Sequence, residues 1–313
     1  MIRGVVAALA CCLFGLPAQG ARRALLIGVS HYVAGIGSLE GPQNDVEALH
    51  RLLVDHWGFS ESGVKTLVNQ AATRDAILAA LDQLASQAAS GDEYFIFFSG
   101  HGTSWYAPGR ADPELDPSTG AIVASDGRLI FGNRDLQPRL RRIDQIANAF
   151  VIFDSCYSGS SVKSVFVGVA KYTDPDTLAR NVPSTPFSFD QRLQGSFGAL
   201  TIREQPYPYN NIIYLSASSR SEMAIDIPGS LIASGRYRTV DGRPHGALTD
   251  AVLAGLEGAA DTNHDSKITY GELYQYVSQR VNRQWNQTPQ ILYAQSKSAI
   301  LDDPVLASGV APR

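Results

Sequence analysis

The sequence predicts an α/β fold in which a parallel or mostly parallel sheet carries helices on both faces. Three observations predict it. Short, continuous apolar runs stop at Gly or Ser, as in Tyr94-Phe95-Ile96-Phe97-Phe98-Ser99-Gly100 and Phe150-Val151-Ile152-Phe153-Asp154-Ser155, the pattern of strands buried on both faces. Segments of helical periodicity separate these runs. The 313 residues, 44% hydrophobic and 18% charged, can bury a full core, in one large domain with insertions or two small ones.

Taken in order, Arg23 to Ser30 reads as a first buried strand. Asp45 to Val54 reads as a helix with Val46, Leu49, Leu52 and Leu53 on one face. Val64 to Asn69 gives a second strand, and Thr73 is the expected N-cap of a helix through about Ser86 that buries Ile77, Leu78, Leu81 and Leu84. The strand ending at Ser99 follows. The polar, Gly-, Pro- and Asp-rich stretch from Trp105 to Gly127 is expected to be a surface loop. Asp135 to Ile146 is predicted helical and feeds the strand ending before Cys156. Asn211 to Ser216 is a further strand, Ala247 to Ala259 a helix, and Ser298 to Leu301 a short last strand. From Ser161 to Tyr209 the pattern breaks down around Pro175, Pro183, Pro186, Pro206 and Pro208, and a loop this long is usually functional or mobile.

The net charge of −4 supplies no basic field for nucleic acid or anionic lipid, so neither partner is expected. The N-terminal segment has Arg3, an apolar stretch from Val5 to Leu16, and the small residues Ala18-Gln19-Gly20-Ala21 that a signal peptidase accepts. Residues 1–20 are therefore expected to be a signal peptide, too short for a stable membrane span, and the mature chain to be periplasmic or secreted. Cleavage there would leave almost nothing ahead of the first strand, so no long inhibitory prodomain is expected. Cys11 and Cys12 would leave with the peptide, and Cys156 would be the one remaining thiol, either reactive or an inert core residue.

His101 and Cys156 each follow an apolar run, so both are expected at the carboxyl edge of one sheet, where α/β folds place their sites. A Cys beside a His suits nucleophilic thiol catalysis, because the imidazole favours the thiolate and can protonate the leaving group. The plain alternative is a core His and a packed Cys on unrelated strands. Ser99-Gly100-His101-Gly102 together with Asp154-Ser155-Cys156-Tyr157-Ser158-Gly159 resembles the caspase/metacaspase family of cysteine peptidases (peptidase family C14, clan CD). That resemblance implies a caspase-like three-layer sandwich, spanning a large-segment-like part 21–162, a linker 163–209 and a small-segment-like part 210–313. It implies an endopeptidase with His101 and Cys156 catalytic, an acyl-thioester intermediate, and an oxyanion held by the backbone N–H groups of Gly102 and Cys156. This chemistry needs no metal, and a peptide or protein is the implied substrate. The linker's Lys163, Lys171, Arg180, Arg192 and Arg203 are candidate self-cleavage sites, or simply basic residues of an uncut loop.

Specificity turns on two acids. Positions matching Asp45 and Asp154 line the pocket in metacaspases, and Ser216 matches a small pocket-wall residue, which implies cleavage after Arg or Lys, since two carboxylates repel an aspartate. Asp45 could instead cap its helix, and Asp154 could serve backbone groups at a strand end. Tyr157 stands where many metacaspases carry a His.

A second constellation, Asp261 to Glu272, places Asp261, Asn263, Asp265, Lys267 (through its carbonyl), Thr269 and Glu272 in the EF-hand pattern. Ca2+ is the candidate ion there, in a structural or regulatory role. Ser266 occupies the position where the turn wants a glycine with positive φ, and no second loop is visible to pair with it. A metal-free helix-loop-helix with Asx turns is the alternative. Asp112, Glu114 and Asp116 read as a solvated loop face. A rival reading from another class is a catalytically silent caspase-like domain that binds partners in response to calcium; an enzyme runner-up is a transpeptidase or a peptidase of other specificity.

Overall fold

The computed structural model describes residues 20–104, 120–155, 207–218 and 223–306. Residues 1–19 of the expected signal peptide, with Cys11 and Cys12, the acids at 112, 114 and 116, Cys156 and Tyr157, and the five basic linker residues lie outside them.

The first strand, β1 (Arg22–Gly28), is followed by α1 (Pro42–His56), β2 (Val64–Val68), α2 (Arg74–Gln87) and β3 (Glu93–Ser99). Thr73 caps α2 as expected, its side chain accepting from the Ala76 N–H at 3.3 Å. Three short strands, β4 (Gly102–Ser104), β5 (Gly120–Val123) and β6 (Leu129–Phe131), lead to α3 (Gln137–Asp144) and β7 (Asn148–Asp154). The last part holds β8 (Ile212–Ser216), β9 (Asp226–Ile227), α4 (Gly229–Ala233), β10 (His245–Gly246), α5 (Ala247–Ala254), α6 (Tyr270–Trp285) and β11 (Gln290–Leu292).

The central sheet runs β11-β8-β7-β3-β1-β2, parallel throughout except for β11 at one edge. Alternation along the strands divides the core in two. Phe95, Phe97, Phe150 and Ile152 face Leu49 of α1, Val252 of α5 and Val277 of α6. Ile96, Phe98, Val151 and Phe153 face Ile77 and Leu81 of α2 and Leu140 and Ile143 of α3. The predicted α/β sheet with helices on both faces is what the chain forms. Among the described residues no helix is long and apolar enough to cross a membrane.

Two expectations are corrected. Gly120–Val123, inside the stretch expected to be surface loop, is a buried strand: Ala121, Ile122 and Val123 are apolar and pair between β4 and β6 in a small antiparallel sheet. Ser298–Leu301 is not a strand but part of a 3-10 helix over Gln295–Asp302. The edge position is taken by β11, which follows Pro289 and hydrogen-bonds to β8 in antiparallel register.

The Phe150 ring lies edge-on to both Phe95, at 5.8 Å, and Tyr270, at 5.1 Å, so it ties two strands to α6. Phe150→Ala is expected to destabilise the protein by about 3–5 kcal/mol in denaturant unfolding, the range for emptying a fully buried aromatic site.

Candidate active site

Strand register collects the site at one edge. Gly28, Ser99 and Asp154 are consecutive Cα partners across β1, β3 and β7, and Phe153 pairs with Ser216 of β8. All four strands end there, and the residues that follow β3 and β7 emerge together. The N–H of Gly100 donates to the Asp154 carbonyl at 3.3 Å, joining the two strand mouths.

His101 is 5% exposed and held from several directions. Its backbone N–H donates to the Tyr32 hydroxyl at 2.7 Å, its carbonyl accepts from Val123 N at 3.0 Å, and its ring lies 4.8 Å from the Tyr32 ring. A Cβ on Gly100 would come within 2.7 Å of that hydroxyl, so glycine is required for the approach. The imidazole Nε2 is 2.8 Å from the Gly37 carbonyl. A carbonyl only accepts, so Nε2 carries the proton of that contact. Gly102 opens β4, opposite Ile122. Cys156 is next in the chain after Ser155, the last described residue of that strand mouth.

Asp45 and Asp154 are both fully buried. Asp45 lies in the first turn of α1 but does not cap that helix. Its Oδ2 accepts from the Ser99 hydroxyl at 2.7 Å, its Oδ1 is 2.8 Å from His245 Nδ1, and the Gly246 N–H reaches both oxygens at 3.1 and 3.3 Å. Asp154 Oδ2 accepts from the Thr249 N–H at 3.0 Å and from its hydroxyl at 2.7 Å. Both carboxylates, one from a helix and one from a strand, thus meet the start of α5, whose free N–H groups and positive dipole end favour anions.

Ser216 is not brought to them. Its Oγ donates weakly to the Ser218 and Gln290 carbonyls, and alternation puts it on the Tyr214 side of the sheet, whereas Ser99 and Asp154 share the other face. Ser99 is the small residue beside Asp45. Sequence reasoning missed Ser99, His245 and Thr249; a hint was available in His245-Gly246-Ala247-Leu248-Thr249, a polar pair flanking a helix start.

His245 is fully buried between two carboxylates, with Nε2 2.8 Å from Asp241 Oδ1. Burial alone would lower its pKa, but the hydrogen bonds and charges of Asp45 and Asp241 outweigh it and raise the value from 6.5 to about 9. Asp241 is correspondingly held down at about 2, burial being outweighed by His245 and Arg243.

In the loop 261–272, Asp261 accepts from the N–H groups of Asp265 and Ser266, Asn263 from Asp265, and Asp265 from Lys267. Ser266 adopts φ 66°, the conformation expected at that position. Glu272 forms a capping box with Thr269. Val305 N donates to the Ile268 carbonyl at 2.8 Å, so the C-terminal segment pairs with the loop. The donors are all oxygen, which fits a hard cation, but among the described residues no three Asp, Glu, His or Cys side chains converge into a metal-holding group. Glu272 would have to turn from its cap to join a bound ion.

A parallel sheet that opens a fixed histidine and two buried acids at one edge, with a cysteine next in sequence, defines a caspase-like domain. The family model described as the caspase domain of peptidase family C14 matches residues 21–300, and the chain belongs to that family. It is 32% identical over 189 residues to Metacaspase-7 of Arabidopsis thaliana, covering 56% of this chain and 45% of the relative. It is 35% identical to Metacaspase-6 of the same plant, covering 45% and 39%, and 27% identical to Metacaspase-1B of Aspergillus oryzae, covering 87% and 67%. The chain thus spans less than half the length of the two plant relatives. A solved protein of Geobacter sulfurreducens shares the fold at a TM-score of 0.55 and 18% identity, over 90% of this chain and 96% of its own.

The Thr249 hydroxyl is a charge-assisted donor to a carboxylate that water does not reach. Thr249→Val is expected to lower stability by about 1.5–3 kcal/mol, the range for a hydrogen bond to a charged group, with a matching fall in Tm.

Proposed function

We propose that the protein is an exported cysteine endopeptidase that cleaves after Arg or Lys. The observation that carries the catalytic part is the His101 imidazole, clamped through Nε2 on the Gly37 carbonyl at the mouth of β3, beside the mouth of β7 that leads into Cys156. In the reaction, the Cys156 thiolate adds to the scissile carbonyl carbon and the N–H groups of Gly102 and Cys156 take the oxyanion charge. The C–N bond breaks as His101 gives its proton to the leaving amine, which departs and leaves a thioester. Water then loses a proton to His101 and attacks the thioester carbon; the C–S bond breaks, releasing the acid and regenerating Cys156.

Asp45 and Asp154 support the preference for a basic residue. Asp45 and Asp154 carry two buried negative charges at this face of the sheet edge against the single buried imidazolium of His245, and the remaining negative potential in a low-dielectric region favours guanidinium or ammonium and disfavours an acid. The charged and apolar pattern of residues 1–20 supports export to the periplasm or beyond.

Hydrolysis of fluorogenic peptides ending in Arg, Lys or Asp tests this reading. Cleavage after Arg and Lys, abolished in Cys156→Ala and weakened at least tenfold in kcat/KM by Asp154→Asn, is the expected result. A folded but silent wild type would instead favour the binding module.

Loop 261–272 is the proposed Ca2+ site, with Asp261, Asn263, Asp265, Thr269 and Glu272 as side-chain oxygens and Lys267 contributing its carbonyl. Calorimetric titration with Ca2+ is expected to show one site, lost in Asp261→Asn. Ser266→Gly is expected to raise thermal stability, because Ser266 stands at φ 66° in the fold and a left-handed conformation costs an ordinary residue about 1 kcal/mol that glycine avoids. Absence of heat in the wild type would leave the loop as a metal-free connection.

A further inference from the structure

We propose that His245 is the positioning residue of the basic-side-chain pocket: its ring bridges Asp45 and Asp241 and fixes the plane of the Asp45 carboxylate toward the substrate cation. This rests on the reading that the pocket takes Arg or Lys.

The geometry is specific. Both ring nitrogens lie 2.8 Å from a carboxylate oxygen, Nδ1 from Asp45 and Nε2 from Asp241, and the ring has no solvent exposure. A neutral imidazole has one N–H and can serve only one of two carboxylates at such distances, so the double contact requires the imidazolium. The surroundings keep it in place. His245 belongs to β10, which pairs with β9, and Asp226 of β9 accepts from the N–H groups of Glu40 and Gly41 ahead of α1.

The charged groups around the ring come from several elements. Asp45, Glu47 and Arg51 lie on α1, Asp226 on β9, Asp241 and Arg243 on the loop before β10, and Asp250 on α5 with its partner Arg280 of α6; Glu257 lies beyond. Arg243 pairs with both Asp241, at 2.9 Å, and Glu47, at 2.8 Å, while Arg51 stands 3.6 Å from Asp241. Asp241 is therefore itself anchored to α1, and its hold on His245 is transmitted to Asp45 rather than lost to solvent.

The sign of the pH dependence follows. The raised value of about 9, against 6.5 for an ordinary His, means the double contact is complete below pH 6.5 and is lost as pH rises through 9. Above that, the neutral ring keeps a single N–H for two carboxylates, so the bridge is broken and the Asp45 plane is no longer fixed through Asp241.

The test is steady-state kinetics of the purified full chain on an Arg-ending fluorogenic peptide between pH 6 and 10, for wild type, His245→Gln and Asp241→Asn. The expected result is a wild-type KM that rises as pH passes 9. Asp241→Asn, which leaves Asp45 untouched, moves that rise to lower pH. His245→Gln removes the inflection and raises KM at neutral pH by about ten- to a hundredfold, the equivalent of one charged hydrogen bond, with kcat changed less than threefold. If His245→Gln fails to fold, the Asp241→Asn profile decides alone, since that side chain is partly exposed. A wild type that cleaves after Arg, with both variants matching it in KM and pH profile, overturns the role of His245 and leaves the basic pocket standing. A wild type that cleaves after neither Arg nor Lys overturns both.

Discussion

Two carboxylates without solvent contact stand at the carboxyl edge of the sheet, and an ionised acid removed from water is tolerated only where fixed donors replace the lost hydration. The chain meets that demand largely within residues 245–249, with the Ser99 hydroxyl as a further donor to Asp45. His245 and Gly246 serve Asp45, and Thr249 serves Asp154 with both its N–H and its hydroxyl. The acids come from α1 and β7, 200 and 95 residues away in the chain. Docking α5 and building the pocket are therefore one event. If β10 and the start of α5 moved away together, both buried acids would lose donors at once, a larger penalty than the packing of a helix of eight residues would suggest.

The histidine depends on a different set of supports. Tyr32 and Gly37, which hold its backbone and ring, both lie between β1 and α1. That segment is anchored at its start by Asn69, whose side-chain oxygen accepts from the N–H groups of Ser30 and His31, and at its end by Asp226. Few of these contacts are apolar. A loop that must place a carbonyl within hydrogen-bond reach of an imidazole needs directional restraints, which hydrophobic packing does not supply.

The sheet was legible in the sequence because strands buried on both faces leave unbroken apolar runs, and the run at Tyr94 to Phe98 and that at Phe150 to Phe153 lie in the sheet's interior as expected. The strand at Gly120–Val123 was hidden: three apolar residues between polar stretches carry too little periodicity to overrule the composition around them. The last strand was misplaced for a similar reason, since β11 and the segment 295–302 are both short and only the pairing partner separates them. In the site, His101, Asp45 and Asp154 could be named because strand ends and family motifs mark them. Ser99, His245 and Thr249 could not, because what gives them meaning is a partner 54, 200 or 95 residues distant.

Asp226 shows how the two halves of the edge are made to agree. Its carboxylate holds the last residues of the loop that carries Tyr32 and Gly37, while its backbone pairs with Gly246, the residue that donates to Asp45. The Cβ of any residue other than glycine at position 41 would lie 2.4 Å from that carboxylate, so the approach leaves no room for adjustment. A shift of β9 would then be felt on one side as movement of the loop behind His101 and on the other as movement of the donors to Asp45. Rigid, directional coupling of this kind lets residues from the two ends of the chain keep a common geometry at the sheet edge, which an alignment of reacting groups within a fraction of an ångström requires.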